Sequence, residues 1–223
     1  MTTHDYRSVA LATDVPFSVV FAQALKGAPC AVVGLDPEPT FLPMHQWSSE
    51  ADKDDLALLA LCEGATIDIG CGPGRLTSAL VRAGFVALGI DVVLEAVEQT
   101  LDRGGSALLR DVYDKLPGEG RWHTALLADG NVGIGGDPVA LLRRVREVID
   151  PRGRIVVEVH GPGATSRSVW ASLECAEVRS RPFRWSVLSV DDVHDISADA
   201  GLSVSTIKRL GERWAVVLTE PTS

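Results

Sequence analysis

Cysteine, lysine, aromatic side chains and long apolar runs are all scarce in this 223-residue chain. The four cysteines, Cys30, Cys62, Cys71 and Cys175, form no CxxC pair, and the five histidines are scattered. This excludes a disulfide mini-scaffold and a finger-like site, and no metal is expected. The thiols read as reduced and packed, in a cytoplasmic protein. No apolar stretch approaches the roughly 18 residues of a spanning helix, so no membrane association is expected. The first seven residues have no compact apolar core or small-residue cleavage site, so no leader is expected. Basic charge is short as well. Lys and Arg number 21 against 30 Asp and Glu, a net charge of -9. A phosphate-tracking surface is usually basic, so a nucleic-acid partner is not expected.

What is present is ordinary for a globular chain, with 46% hydrophobic and 23% charged residues. The length allows one generous domain or two small ones, and as one unit it can bury about 70% of its unfolded surface. The basic residues are 17 Arg and 4 Lys, and between Leu141 and Trp185 nine Arg outnumber five acids. That local excess reads either as a solvated helix face with an exposed hairpin or as an anion-binding rim.

The hydrophobic rhythm divides the chain. Residues 1–46 predict a helix near 15–26 followed by an irregular Pro-rich approach. Ser48 or Ser49 can cap a helix running to about Cys62. From Ala65 onward, short apolar strands alternate with helices of 8–14 residues: strands at 65–69, 85–90, 106–109, 122–128 and 154–159, helices at 76–83, 92–100 and 138–149. Asp137 and Pro138 supply an N-cap and a first helical position. Such alternation means parallel crossovers and a doubly wound α/β sheet. The last third predicts an antiparallel arm turning at Ser180-Arg181-Pro182. A helix capped by Ser189-Val190-Asp191-Asp192 follows, then a hairpin around Gly211-Glu212.

The first core strand runs into Asp68-Ile69-Gly70-Cys71-Gly72-Pro73-Gly74-Arg75. Glycines between a strand and a helix let backbone pass close under a ligand and present N–H groups to it. The dinucleotide fingerprint asks for a glycine where Arg75 stands. A carboxylate beside the loop repels pyrophosphate and suits an ammonium or sulfonium ligand better.

The run Ile67-Asp68-Ile69-Gly70-Cys71-Gly72-Pro73-Gly74 resembles the first motif of the class I S-adenosylmethionine-dependent methyltransferases. The family next asks for an acid ending the second core strand, and Gly89-Ile90-Asp91 supplies it. It then asks for an acid and an apolar neighbour past the third, supplied by Asp111-Val112. The resemblance spans about 66–160 and implies S-adenosylmethionine as cofactor, with Asp68, Gly70, Cys71, Gly72, Gly74, Asp91, Val92, Asp111, Val112 and Asp129 holding it. Asp91 would accept from the ribose hydroxyls, and Asp111 from the adenine amino group while Val112 packs on the ring. Each acid can alternatively be a cap of the following turn or helix.

In the family the loop from Ala128 to Pro138 faces the methyl group. It lacks the Asn/Asp-Pro-Pro-Tyr/Phe run of base and glutamine N-methylating enzymes. Asn131 can orient an acceptor, and His160 is the first candidate for a base, although a hydrogen-bonded strand-end histidine is the more ordinary reading of that position. His45, Trp47, Trp170 and Trp185 can roof the cofactor or line an acceptor pocket, or serve as packing.

The expected fold is α/β and doubly wound, a mostly parallel seven-stranded sheet with a C-terminal antiparallel hairpin, the Rossmann-like methyltransferase fold. The expected organisation is one domain over 1–223: an N-terminal helical cover (1–63), a cofactor-binding core (64–160), an inserted arm (161–188) and a terminal helix and hairpin (189–223). The expected activity is methyl transfer to a small-molecule acceptor by a monomer or homodimer. The alternatives are a cofactor-binding regulatory protein without turnover and a nicotinamide-dependent oxidoreductase.

Overall fold

Between Thr66 and Val159 the strands and helices follow in the order that the hydrophobic rhythm predicts, although β8 begins at Ile149 and runs through the expected stop at 150–153. The computed structural model describes residues 12–221, and the reading of the first seven residues as no leader lies outside that range. In chain order the elements are β1 (Ala12–Val15), α1 (Phe17–Leu25), β2 (Cys30–Val33), β3 (Thr40–Phe41), α2 (Met44–Trp47) and α3 (Lys53–Leu59). Then come β4 (Thr66–Ile69), α4 (Arg75–Arg82), β5 (Ala87–Asp91), α5 (Leu94–Asp102), β6 (Ala107–Leu109), β7 (Trp122–Leu127), α6 (Pro138–Val148) and β8 (Ile149–Val159). The chain ends with β9 (Arg167–Cys175), β10 (Val178–Ser180), β11 (Phe183–Val187), α7 (Val193–Asp199), β12 (Ser203–Leu210) and β13 (Arg213–Thr219).

The main sheet has seven strands in the order β12-β13-β8-β7-β4-β5-β6. Neighbours from β8 to β6 are parallel, and β13 runs antiparallel to both β8 and β12. This is the expected mostly parallel sheet with its reversed hairpin. Both faces are covered, so the central strands carry apolar side chains on both faces, as at Leu126-Leu127 and Val156-Val157. Ala125, Leu127, Ile155 and Val157 face α6 and α7 with Leu141, Val145 and Val193. The alternate residues Leu126 and Val156 face α3 and α4 with Leu58, Leu76 and Leu80. Strand order reverses between β4 and β7, and an open α/β sheet binds ligands beyond the carboxyl ends of its strands at such a point.

Local signals set some helix starts as expected and others not. The Asp137 side chain accepts from Ala140 N (2.9 Å), with Pro138 leading α6. The start expected at Ser48 or Ser49 is corrected to Lys53. Asp52 accepts from the amides of Asp54 and Asp55 (2.8 Å each), and Asp55 accepts in return from Asp52 N (3.0 Å). This reciprocal pair satisfies more of the first turn than a lone hydroxyl can. Ser49 Oγ instead donates to Gln46 O at the end of α2. The box expected at Ser189 is also absent, because Asp192 caps α7 without a side-chain bond and Ser189 Oγ donates to Gly161 O.

The largest correction concerns residues 12–46 and 161–188. They form a second, six-stranded sheet together rather than an irregular approach and a separate arm. β9 is its spine, with β2 antiparallel on one side and β10 and β11 in succession on the other; β3 extends β2, and β1 lies parallel to β10. The chain leaves β9 through Ala176 (φ 51°), and Arg181-Pro182 is only the bend between β10 and β11. Cys30 and Cys175 are directly opposed on β2 and β9 and are bonded as a disulfide. The expectation of four reduced thiols is corrected to two, Cys62 and Cys71, both buried. That bond also withdraws the thiol argument for a cytoplasmic protein. α1 packs Val20 and Ala24 against Leu173 and Cys175 of this sheet. Leu25 of the same helix packs against Val93, which caps α5, and Ala96 within it. The second sheet is thereby anchored next to the β5–α5 crossover. Among the described residues no helix is long and apolar enough to cross a membrane.

Candidate active site

The turn from β4 into α4 is held left-handed at Gly70, Gly72 and Gly74 (φ 74°, 52° and 83°), a conformation that L side chains rarely adopt. A Cβ on Gly70 would strike the Asn131 amide at 2.7 Å, whereas one on Gly72 would meet nothing within 4 Å. Gly70 is therefore fixed by packing, and Gly72 borders open space. That space is a cavity of about 590 Å³ between the loop and the second sheet, within the range of small-molecule sites.

Asp68, Asp91 and Asp111 stand at the ends of β4 and β5 and just past β6, and all three line this cavity. Asp68 is 2% exposed and accepts from Thr77 Oγ1 (2.6 Å). Burial pushes its carboxyl up to about 7, against the Thr77 hydrogen bond and with the Asp129 charge. Asp91 accepts from Gly72 N (3.0 Å) and Val93 N (2.9 Å), so it braces the glycine turn from the next strand. Burial raises it, and those amides oppose the rise. Asp111 is exposed and accepts from Tyr113 N (3.0 Å), the local cap that its position also allowed. Cys71, Val92 and Val112 line the cavity too.

Asp129, with φ 52°, is tied down differently. Arg75 Nη2 contacts both of its oxygens at 2.9 and 2.7 Å. Arg75 also pairs with Asp55, which pairs with Arg213, and Arg213 grips Glu158 through two bonds of 2.7 and 2.6 Å. Glu158 in turn accepts from Asp129 N (2.9 Å). Five charges from α3, α4, β8, β13 and the loop after β7 thus close into one network beneath the cavity. Burial works against Asp55, but Arg75 and Arg213 outweigh it and hold its carboxyl below the usual range. Burial raises Asp129 despite Arg75. In the sequence Arg75 stands out only where a third glycine is missing, and Asp55 and Arg213 carry no local signal because they lie 158 positions apart.

Asn131 opens a short 3-10 turn, Asn131–Gly133, and spends both amide hydrogens on Ile69 O and Gly70 O (2.9 Å each). It clamps the two loops together, and its Oδ1 has no hydrogen-bond partner among the described residues. His160 lines the cavity at the end of β8, with its backbone bonded to Leu188 O and Val190 N. Trp47 and Trp185 line the cavity. Trp170 is 62% exposed on the other face of the second sheet's spine, under Arg184. The arginine excess at 141–185 is largely neutralised. Seven of its nine guanidiniums form ion pairs, and Arg143 donates to Asp199 O.

Taken together, the strand order and glycine turn define the fold of the class I S-adenosylmethionine-dependent methyltransferases. A methyltransferase of this type from Bacteroides fragilis, solved with S-adenosyl-L-homocysteine, superposes with a TM-score of 0.76 at 19% identity over 93% of this chain and 95% of that one. The 1,6-didemethyltoxoflavin-N1-methyltransferase of Burkholderia thailandensis gives 0.57 at 18% identity over 80% and 81%. A sugar N-methyltransferase from Streptoalloteichus gives 0.56 at 14% over 79% and 88%. No family model and no curated protein sequence matches the chain.

Proposed function

We propose that this single-domain protein is an S-adenosylmethionine-dependent methyltransferase acting on a small-molecule acceptor. The observation that carries the reading is the meeting of Asp68, Asp91 and Asp111, from three neighbouring parallel strands, with the open Gly72 turn around one cavity. The residues fit the cofactor. In this reading Asp91 accepts from the ribose hydroxyls, and Asp111 from the adenine amino group between Val92 and Val112. Asp68 and the loop lie toward the cationic end. Arg75 Nε, buried without a partner among the described residues, is a spare donor beside them. S-Adenosylhomocysteine bound in the Bacteroides fragilis and Burkholderia thailandensis structures supports the same choice.

When bound, S-adenosylmethionine supplies a methyl group activated by a sulfonium, and the bond electrons stay with sulfur when the methyl leaves. The protein's part is alignment, exclusion of water and removal of any acceptor proton. The network under Asp129 and the Asn131 clamp hold the two loops rigid, and the second sheet covers the cavity. His160 is the proposed proton acceptor, and Asn131 Oδ1 a proposed contact to the acceptor. A nicotinamide reading loses its site, because Arg75 fills the third glycine position with a side chain 3% exposed and paired to two acids.

Calorimetric titration tests the assignment. S-Adenosylmethionine and its demethylated product should bind, and NADH should not. Tight NADH binding with neither of the others would sink it, and formation of S-adenosylhomocysteine from any acceptor separates an enzyme from a regulatory binder.

A further inference from the structure

One face of the second sheet roofs the cavity, and strand register says which. On β11, Arg184 stands opposite Trp170 and Trp185 opposite Val169. Trp170 is 62% exposed, with the Arg184 guanidinium 5.5 Å from its ring, so this pair lies on the outer face. Alternation turns Phe183, Trp185 and Val187 to the inner face, with Leu173 of β9 and its partner Val32 of β2, and all five line the cavity. The chain has only 12 aromatic residues, and five of them make one continuous wall here. Trp47 meets Phe21 at 6.2 Å between centroids, and Phe21 stacks on Phe17 at 5.4 Å. Phe17 meets Phe183 edge-on at 4.9 Å, and Phe183 meets Trp185 edge-on at 6.2 Å. All five rings are half-buried and line the cavity, so ring surface stays open toward it.

The roof turns no charge inward. All four lining carboxylates, Asp68, Asp91, Asp111 and Asp129, belong to the loop half, and Arg184, the roof's one charged lining residue, points its guanidinium outward. The roof's hydroxyls are spent as well: Thr40 Oγ1 donates to Asp36 (3.5 Å), and Ser186 Oγ bonds Ser168 Oγ (2.7 Å). Polar groups meet the wall only at its Trp185 end. There Ile134 bridges Trp185, three residues after Asn131, and His160 N donates to Leu188 O (2.8 Å). With both Asn131 amide hydrogens given to Ile69 O and Gly70 O, its Oδ1 can only accept. The unprotonated nitrogen of a neutral His160 ring likewise accepts. The aromatic wall therefore ends at two groups that call for a hydrogen from a ligand.

We propose that the roof binds the methyl acceptor and that this acceptor is an uncharged, flat aromatic molecule with an O–H or N–H at the atom to be methylated, its ring against Phe183 and Trp185 and its hydrogen directed to Asn131 Oδ1 and His160. The proposal rests on the methyltransferase reading for the word acceptor, whereas the binding chemistry stands on the roof itself. Transfer forms the bond from the acceptor oxygen or nitrogen to the methyl carbon as the sulfur–carbon bond breaks. The electrons of that bond stay with sulfur, and the hydrogen leaves as a proton to His160. A charged acceptor finds no counter-charge under the roof, and a sugar leaves its hydroxyls unpaired there.

Calorimetric titration of four probes into protein saturated with S-adenosylhomocysteine tests this. 2-Naphthol should bind about tenfold more tightly than 2-naphthoate, whose charge goes unpaired. It should bind about fivefold more tightly than 2-methoxynaphthalene, which has no hydrogen to give, and than decahydro-2-naphthol, which has no flat ring. Trp185→Leu and Phe183→Leu should each remove most of the preference for naphthol over its saturated analogue, and Arg184→Ala should leave the whole ranking in place. Any of the three other probes binding as tightly as 2-naphthol overturns the proposal. So does a ring preference that survives both leucine variants, or a ranking lost in Arg184→Ala. The wild-type series decides the matter by itself if the leucine variants do not fold. Absence of S-adenosylhomocysteine binding defeats the methyltransferase assignment instead, and the same four probes titrated without it then decide the roof independently.

Discussion

Arg75 Nη2 sits astride the Asp129 carboxylate, 2.9 Å from one oxygen and 2.7 Å from the other, with the guanidinium 3% exposed. Its other face meets Asp55, which is 1% exposed. Removing one partner from such a group strands a buried charge, which costs far more than the intact pair contributes. Arg75→Met should therefore lower unfolding stability by about 3 kcal/mol or more, read as a drop in the denaturant midpoint at constant slope. Arg82→Ala, which breaks only the exposed pair with Glu50, should leave the midpoint where it is.

Asp91→Ala should weaken S-adenosylhomocysteine binding at least tenfold by calorimetry with the far-UV spectrum unchanged. The carboxylate has two duties in this reading, bracing Gly72 N and Val93 N and accepting from the ribose. Asp91→Asn separates them, since it keeps acceptor oxygen for one amide but cannot accept from two hydroxyls. An affinity equal to wild type in both variants would remove the ribose assignment.

The disulfide between Cys30 and Cys175 closes a loop with a sequence separation of 145. Loop-closure entropy for so long a segment corresponds to about 5 kcal/mol as a ceiling, with about 2–5 kcal/mol the usual loss on removal. Cys30→Ser/Cys175→Ser should lower the melting temperature accordingly. The direct count is of thiols: unreduced protein in denaturant should react with two equivalents of thiol reagent, from Cys62 and Cys71, and reduced protein with four. Four in both cases would show that β2 and β9 are not joined.

The parts of this molecule that were readable in advance are those whose cause is local. The Gly70–Gly74 turn, the acids at 68, 91 and 111, the Asp137-Pro138 start of α6 and the hairpin at Gly211 each depend on a handful of adjacent residues. The second sheet was not readable. Its β1, β2 and β3 have four, four and two residues, too few for periodicity to declare itself, and β2 finds its partner β9 more than 130 positions later. The ion network was missed for the same reason, since Asp55 and Arg213 meet across 158 positions. Asn131 was legible as a loop residue facing the site but not as a clamp, because its partners are backbone carbonyls in another loop.

Asp68 makes the site sensitive to pH in a direction opposite to that of an ordinary paired carboxylate. Its folded carboxyl titrates near about 7, while the unfolded chain titrates at 3.8. Between those values the folded protein holds a proton that the unfolded chain has released. Stability of the ligand-free protein should therefore fall as pH rises from about 4 to about 7 and level off above. A cation seated beside Asp68 favours the carboxylate. S-Adenosylmethionine binding at pH 6 should accordingly expel a proton, and affinity should climb by up to about tenfold per pH unit below 7 before reaching a plateau. Calorimetry in two buffers of different ionisation enthalpy measures the proton released, and a thermal melt series measures the stability slope. Asp68→Asn, which keeps the acceptor for Thr77 but cannot ionise, should abolish both the release and its share of the slope. An affinity that is flat from pH 5 to pH 7.5 in the wild type would place the cationic end of the ligand away from Asp68.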